Sequence, residues 1–187
     1  MFEYVKKLLF SRQLKLEKGS IELLGNPAVM FPASIFSSML LNSKDKEKMG
    51  RLLYYSSKES SKKNLTNYIQ SNYKLKPRDL INVMTDIAML GGWGSWSLII
   101  LKDIKKNSVM HIVNSPVVKS LKERTNFPVD HIARGLHAGA AEVIFKCSMD
   151  AVETKCQAMG DQYCEFILKP TEEWKADKTY KNQLFEK

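Results

Sequence analysis

Apolar residues near the start of the chain alternate with polar ones, as they do in half-buried strands. Residues 14–31 (LKLEKGSIELLGNPAVMF) alternate around two turn signals, Lys18-Gly19-Ser20 and Gly25-Asn26-Pro27, and predict a β-hairpin or meander. Four later segments have the same character: residues 95–102, 109–114, 148–155 and 163–168. They predict two further pairs of neighbouring strands, each pair joined by a turn.

Between these strands, apolar residues recur at a spacing of three or four, which is typical of helices. Helices are expected from Ser34, between residues 46 and 73, from Pro77 to Gly91, from Ser115 to about residue 122, and from about residue 128 to Phe145. The last of these helices carries Gly135, Ala138, Gly139, Ala140 and Ala141 on one side. Such small side chains would let another element approach the helix closely, so we expect this side to be buried.

Strands, helices, strands, helices and strands follow one another, and neighbouring strands have hairpin-like links. This order predicts an α+β fold in which helices pack on an antiparallel sheet. We expect an N-terminal arm at residues 1–13, one domain over residues 14–174 and a polar C-terminal tail at residues 175–187.

The chain of 187 residues contains 29 lysine and arginine residues and has a formal net charge of +9 at pH 7. These residues are spread over many segments that also carry acidic residues or serine, which is typical of a solvated surface. No arginine-rich helix or basic-aromatic stripe is present, so nucleic acid is not the expected partner.

No segment has the composition of a membrane span. Residues 23–43 are uncharged but contain two prolines, two asparagines and four serines, and residues 87–101 are too short and too rich in glycine. The N-terminus lacks a secretion signal, and three cysteines argue against a disulfide framework. We therefore expect a cytoplasmic protein.

Two of the three cysteines, Cys156 and Cys164, lie eight positions apart near a Met-Gly-Asp turn signal, just after Glu153. A hairpin brings both thiols together, and Glu153 joins them only if the strand bulges or ends near Thr154. Two thiolates and a carboxylate suit zinc. Candidates for a fourth ligand are Asp130, His131, His111 and His137. A disulfide, a catalytic thiol pair and simple burial remain open, whereas Cys147 is best explained as a buried small side chain.

The segment ETKCQAMGDQYCEF (residues 153–166) resembles the signature of the 4-vinyl reductase domain family, in its stand-alone archaeal or bacterial type. Residues 127–144 (FPVDHIARGLHAGAAEVI) are similar to the helix that precedes this signature in the family. The segments VNSPVV (113–118), GWGSWSLI (92–99) and LKPTEEW (168–174) also resemble family segments. The resemblance covers most of residues 14–174.

This resemblance implies a hydrocarbon-binding module that dimerises and shares its architecture with Golgi transport-tethering subunits and nitric oxide sensors. It also implies a structural zinc held by Glu153, Cys156 and Cys164. The family's fourth ligand is a cysteine at the start of the preceding helix. Here Asp130 occupies that position, and the neighbouring His131 is the alternative.

A hydrocarbon pocket needs apolar and aromatic walls with one or two polar groups. The expected ligand contacts are Trp93, Trp96, His111, Tyr54 and Phe36; the alternative is that they only form the core. No phosphate-binding glycine loop is present, so we expect a binding module and not an enzyme. We expect a sensory or regulatory module that acts through an unknown protein partner. The alternatives are an accessory subunit of a reductase pathway and a tether-like scaffold that binds an acyl chain or nothing.

Overall fold

The computed structural model describes residues 14–71, 77–102, 105–121, 125–175, 177, 180, 182 and 183. The expected N-terminal arm lies outside these residues, as do the expected helix ends at residues 73 and 122. Strands β1 (Leu14–Glu17), β2 (Ser20–Leu23) and β3 (Asn26–Ala28) pair as an antiparallel meander, so the prediction for this segment is confirmed. Gly19 and Gly25 have positive φ angles in its two turns, a conformation that glycine adopts at no steric cost.

A second sheet holds the other four strands, all antiparallel, in the order β4-β5-β7-β6. They are β4 (Ser95–Lys102), β5 (Asn107–Val113), β6 (Met149–Lys155) and β7 (Cys164–Pro170). On β5, Ser108, Met110 and Ile112 are buried, and the residues between them are more exposed. One face of this sheet is therefore covered by helices, as the α+β prediction requires.

The helices are α1 (Ser34–Asn42), α2 (Lys46–Ser71), α3 (Pro77–Leu90), α4 (Pro116–Lys119), α5 (His131–Phe145) and α6 (Thr171–Lys175). The two longest helices, α2 and α5, pack against each other. Among the described residues, their contact is the most extensive one between helices. In the part of the chain that is described, no helix is both long and apolar enough to cross a membrane.

Glycines on α5 set how closely this helix approaches α2. A Cβ atom at Gly135 would overlap the Tyr54 carbonyl oxygen, and one at Gly139 would overlap the Lys58 carbonyl oxygen. Both positions are well inside van der Waals contact, and both neighbouring atoms belong to backbone. The small side expected for this helix is thus present and faces α2.

We expect Gly139→Ala to lower the free energy of unfolding by at least about 2 kcal/mol, because overpacking against backbone outweighs the helix propensity gained by alanine. Urea denaturation measures the difference. Gly91→Ala is the control, because its Cβ would meet the Trp93 side chain at 3.2 Å and the Ile87 carbonyl oxygen at 3.3 Å, and a shift of a few tenths of an ångström relieves both contacts. Equal losses in the two variants would contradict this account of helix packing.

Candidate functional site

Glu153, Cys156 and Cys164 meet in the interior at one end of the second sheet. Their ligand atoms all lie within 4.8 Å of one another, and the three side chains are 2%, 0% and 0% exposed. Glu153 pairs with Phe166 across β6 and β7, but Lys155 pairs with Glu165, so Thr154 is an extra residue in β6. This bulge turns Glu153 and Cys156 towards the same side, and it is one of the two alternatives that the sequence left for Glu153.

The loop between the two cysteines holds both sulfur atoms in place. It contains a 3₁₀ turn, Gln157–Met159, and Gly160 at a φ of 102°. The Cys156 backbone N–H donates to Asp161 Oδ2 at 2.8 Å, and the Gln157 N–H donates to Cys164 Sγ at 3.3 Å. Both cysteines, like Cys147, are free thiols in the structure.

Asp130 and His131, the two fourth-ligand candidates that the family resemblance implies, point in different directions. Asp130 is 1% exposed, and its backbone N–H donates to Glu153 Oε2 at 3.1 Å. Both Asp130 carboxylate oxygens and Glu153 Oε1 are buried and make no hydrogen bond of good geometry among the described residues. Ser115 and the Ala133 N–H nevertheless lie close enough to Asp130 to offset part of the rise that burial causes in its pKa. The His131 ring packs instead on α2, where a Cβ at Gly50 would lie 2.6 Å from its Nε2. Asp130 therefore lies beside the Glu/Cys/Cys group, and His131 faces away from it.

Burial makes the charged forms of these groups unfavourable. It raises the pKa of Asp130 to about 6 and holds the pKa of Glu153 well above its usual value. The contact between the two thiols lowers the pKa of Cys156, and the same contact, with burial, raises the pKa of Cys164. A cation would satisfy the unpaired oxygens and the sulfurs together, so this buried group could hold a metal ion.

A separate cavity of about 240 Å³ lies between α2, α3, α5 and the covered face of the second sheet. Its wall includes Leu65, Met84, Trp93, Trp96, Met110 and Leu168. Leu23 and Leu24, at the turn between β2 and β3, close one side, and Asn67 on α2 donates to Asn26 at 3.1 Å beside this turn. The cavity is therefore apolar over most of its surface.

Two of the five expected ligand contacts, Trp93 and Trp96, line this cavity, and three lie outside it. Phe36 packs on Trp93 from α1, with ring centroids 5.8 Å apart. The Tyr54 hydroxyl donates to Asp150 at 2.7 Å on another side of α2. His111 lies on the opposite face of β5 from Met110, where its Nε2 is 2.9 Å from Glu165 Oε2.

The cavity wall contains a polar pair, Ser108 and His137, that was not predicted from the sequence. His137 Nε2 lies 3.1 Å from Ser108 Oγ, and both residues line the cavity. His137 Nδ1 is buried without a hydrogen-bond partner in the described part of the chain. A usable signal was present, because His137 shares a helical face with Ala140, Ala141 and Ile144, which also line the cavity.

Burial lowers the pKa of His137 from 6.5 to about 4, so the folded state binds fewer protons than the unfolded state between these values. The stabilisation is present above pH 6.5 and is lost as the pH falls through this window. We expect His137 to account for a loss of about 2 kcal/mol in the free energy of unfolding between pH 7 and pH 5. Urea denaturation of wild type and His137→Phe tests this, and parallel pH profiles would contradict it.

Comparison with known proteins places this geometry in a recognised fold. The phenol-responsive sensory domain of the transcription activator PoxR, in complex with phenol, superposes with a TM-score of 0.77 over 88% of each chain, at 15% identity. Trafficking protein particle complex subunit 3 from Naegleria fowleri, covalently bound to palmitic acid, gives a TM-score of 0.56 over 74% of this chain and 92% of that one, at 14% identity. At these identities the likeness shows the fold alone, and it confirms the predicted α+β architecture.

The sequence itself matches the family model of the vinyl-4-reductase domain over residues 108–170. This segment runs from β5 through α5 to the end of β7 and includes the Glu/Cys/Cys group, so the match to the family model agrees with the resemblance seen in the signature. The uncharacterized protein MJ0150 of Methanocaldococcus jannaschii is 32% identical over 69 residues, which are 37% of this chain. The match spans 40% of that relative's length.

Proposed function

We propose that this protein binds a small apolar or aromatic molecule in the 240 Å³ cavity and that ligand binding serves a sensory or regulatory role. The observation that carries the proposal is the cavity itself, which has apolar walls and two tryptophans, Trp93 and Trp96. The shared fold with a phenol-responsive sensory domain supports the same function.

The volume of the cavity indicates the size of the ligand that it can hold. An apolar cavity of about 150 Å³ in another protein holds benzene. The cavity here, at about 240 Å³, therefore suits a single aromatic ring with a short substituent. A long acyl chain would have to extend beyond this volume, so the volume supports an aromatic ligand over the acyl chain of the tether-like alternative.

We further propose that Glu153, Cys156, Cys164 and Asp130 bind a structural zinc ion. Two thiolates and two carboxylates match the ligand types that zinc accepts, and four protein ligands leave no open position for catalysis. The ion would join the start of α5 to the hairpin of β6 and β7. Zinc content, measured by plasma mass spectrometry, should fall in Asp130→Asn and stay at the wild-type level in His131→Asn. The reverse result would exchange the roles of these two residues.

A homodimer and a cytoplasmic location remain predictions. Several apolar side chains after β3 and on α2 are exposed, among them Val29 and Met30 after β3, at 76% and 86%, and Leu52 on α2, at 55%. Exposed apolar side chains that cluster are typical of interaction surfaces. Light scattering coupled to size-exclusion chromatography measures the mass, and a mass of 21.4 kDa would contradict the dimer.

Titration with ethylbenzene tests ligand binding. Two of the three tryptophans line the cavity, so we expect a saturable change in intrinsic fluorescence. The third, Trp174, donates to the Asp150 carbonyl oxygen outside the cavity. Palmitate serves as the size control and should give no saturable change. Absence of saturation with every single-ring compound would contradict the proposed function.

A further inference from the structure

The cavity wall has few polar positions, and two of them are joined to each other. Ser108 on β5 and His137 on α5 lie on facing elements and share one hydrogen bond, with 3.1 Å between Oγ and Nε2. Other hydroxyl and amide groups in the wall belong to Ser61, Asn64 and Thr85. The Ser61 hydroxyl already donates to the Leu136 carbonyl oxygen at 2.8 Å.

The direction of the Ser108–His137 hydrogen bond is not fixed by a third group. In many functional sites the second ring nitrogen of a histidine has a partner that sets the tautomer. Here His137 Nδ1 is buried and has no partner among the described residues. Among the described residues, no hydrogen bond to Nδ1 therefore fixes the tautomer of the neutral ring.

Each tautomer leaves a different capacity on Ser108. If Nε2–H donates to Ser108 Oγ, the serine O–H is free to donate to a ligand. If Ser108 donates to Nε2, the serine lone pairs are free to accept from a ligand. The pair can thus form a hydrogen bond with one small ligand group, whether that group is a donor or an acceptor.

We propose that Ser108 and His137 form the polar contact that selects, among molecules that fit the cavity, those with one hydroxyl or carbonyl oxygen on the ring. This inference rests on the proposed function, since it concerns the same cavity. A purely structural role is the alternative, in which the two side chains only satisfy each other. The two roles differ in whether the pair distinguishes ligands of equal shape.

Matched ligands make that distinction, and 1,4-dimethylbenzene and 4-methylphenol differ only in a methyl group replaced by a hydroxyl group. The quantity measured is the ratio of their dissociation constants within each protein, from tryptophan fluorescence. In Ser108→Ala and His137→Phe we expect the preference for 4-methylphenol over 1,4-dimethylbenzene to fall about tenfold relative to wild type. Because both ligands are measured on the same protein, a general loss of folding does not change this ratio.

Thr85→Val removes a different cavity hydroxyl and should keep the wild-type ratio. A fall in that variant instead, or an unchanged ratio in Ser108→Ala and His137→Phe while both ligands bind, would overturn this inference and leave the proposed function intact. Failure of both ligands to bind wild type would overturn the inference and the proposed function together.

Discussion

Replacement of Cys156 by serine is expected to lower the melting temperature of the protein by about 10 °C or more and to abolish the zinc binding that we propose for this site. Serine is a far weaker zinc ligand than a thiolate, so the ion would lose one of its four contacts. Loss of the ion would leave Glu153, Asp130 and Cys164 buried together without a neutralising cation. In a chain of 187 residues, each kcal/mol of lost stability lowers the melting temperature by roughly 2–4 °C.

Thermal denaturation and zinc content, measured on the same preparations, test this expectation. Cys147→Ser is the matched control, because Cys147 is half-buried and its sulfur contacts Met149 at 3.4 Å. It also lies outside the Glu/Cys/Cys group. An unchanged melting temperature in Cys156→Ser, or a wild-type protein that never contains zinc, would contradict a stabilising metal site.

The second large effect is expected from filling the cavity. Met84 on α3 lines the cavity and is half-buried, so Met84→Trp should place an indole ring in the space that the ligand needs. We expect affinity for ethylbenzene, measured by isothermal titration calorimetry, to fall at least tenfold. The melting temperature should stay the same or rise, because the ring buries additional apolar surface.

Ile99→Trp on β4 is the control for this variant. Ile99 is 51% exposed, and the same side chain is added there away from the cavity wall. Affinity in the control should equal that of wild type. Unimpaired binding in Met84→Trp would place the ligand elsewhere on the protein.

Local patterns were enough to predict the strands and every helix except α6, and they made Glu153, Cys156 and Cys164 one candidate metal group among the alternatives left open. The turn signals at Gly19 and Gly25 gave the meander. The Cys156 and Cys164 spacing implied a hairpin, and the side-chain alternation of a strand meant that Glu153 could join them only if the strand bulged or ended near Thr154. The register of β6 and β7 contains the bulge. These features depend on residues close in sequence or on neighbouring strands.

The lining of the cavity depends on packing between distant segments and could not be predicted from local patterns. Tyr54 is a residue type that often lines pockets, but its hydroxyl donates to Asp150, which lies 96 positions later in the chain. His111 is similarly paired with Glu165 on β7. The opposite directions of the Asp130 and His131 side chains also appear only when α5 is packed on α2, because the His131 ring packs against Gly50 on that helix.

A crystal structure with a bound ligand would test most directly the claim that the cavity is the ligand site. Crystals grown with bromobenzene give an anomalous signal from bromine, whose position is independent of any assumption about the protein. We predict one peak in the cavity bounded by Trp93, Trp96 and Met110. A cavity without bromine in crystals that contain the compound elsewhere, or a cavity collapsed onto its own side chains, would contradict the proposed ligand site.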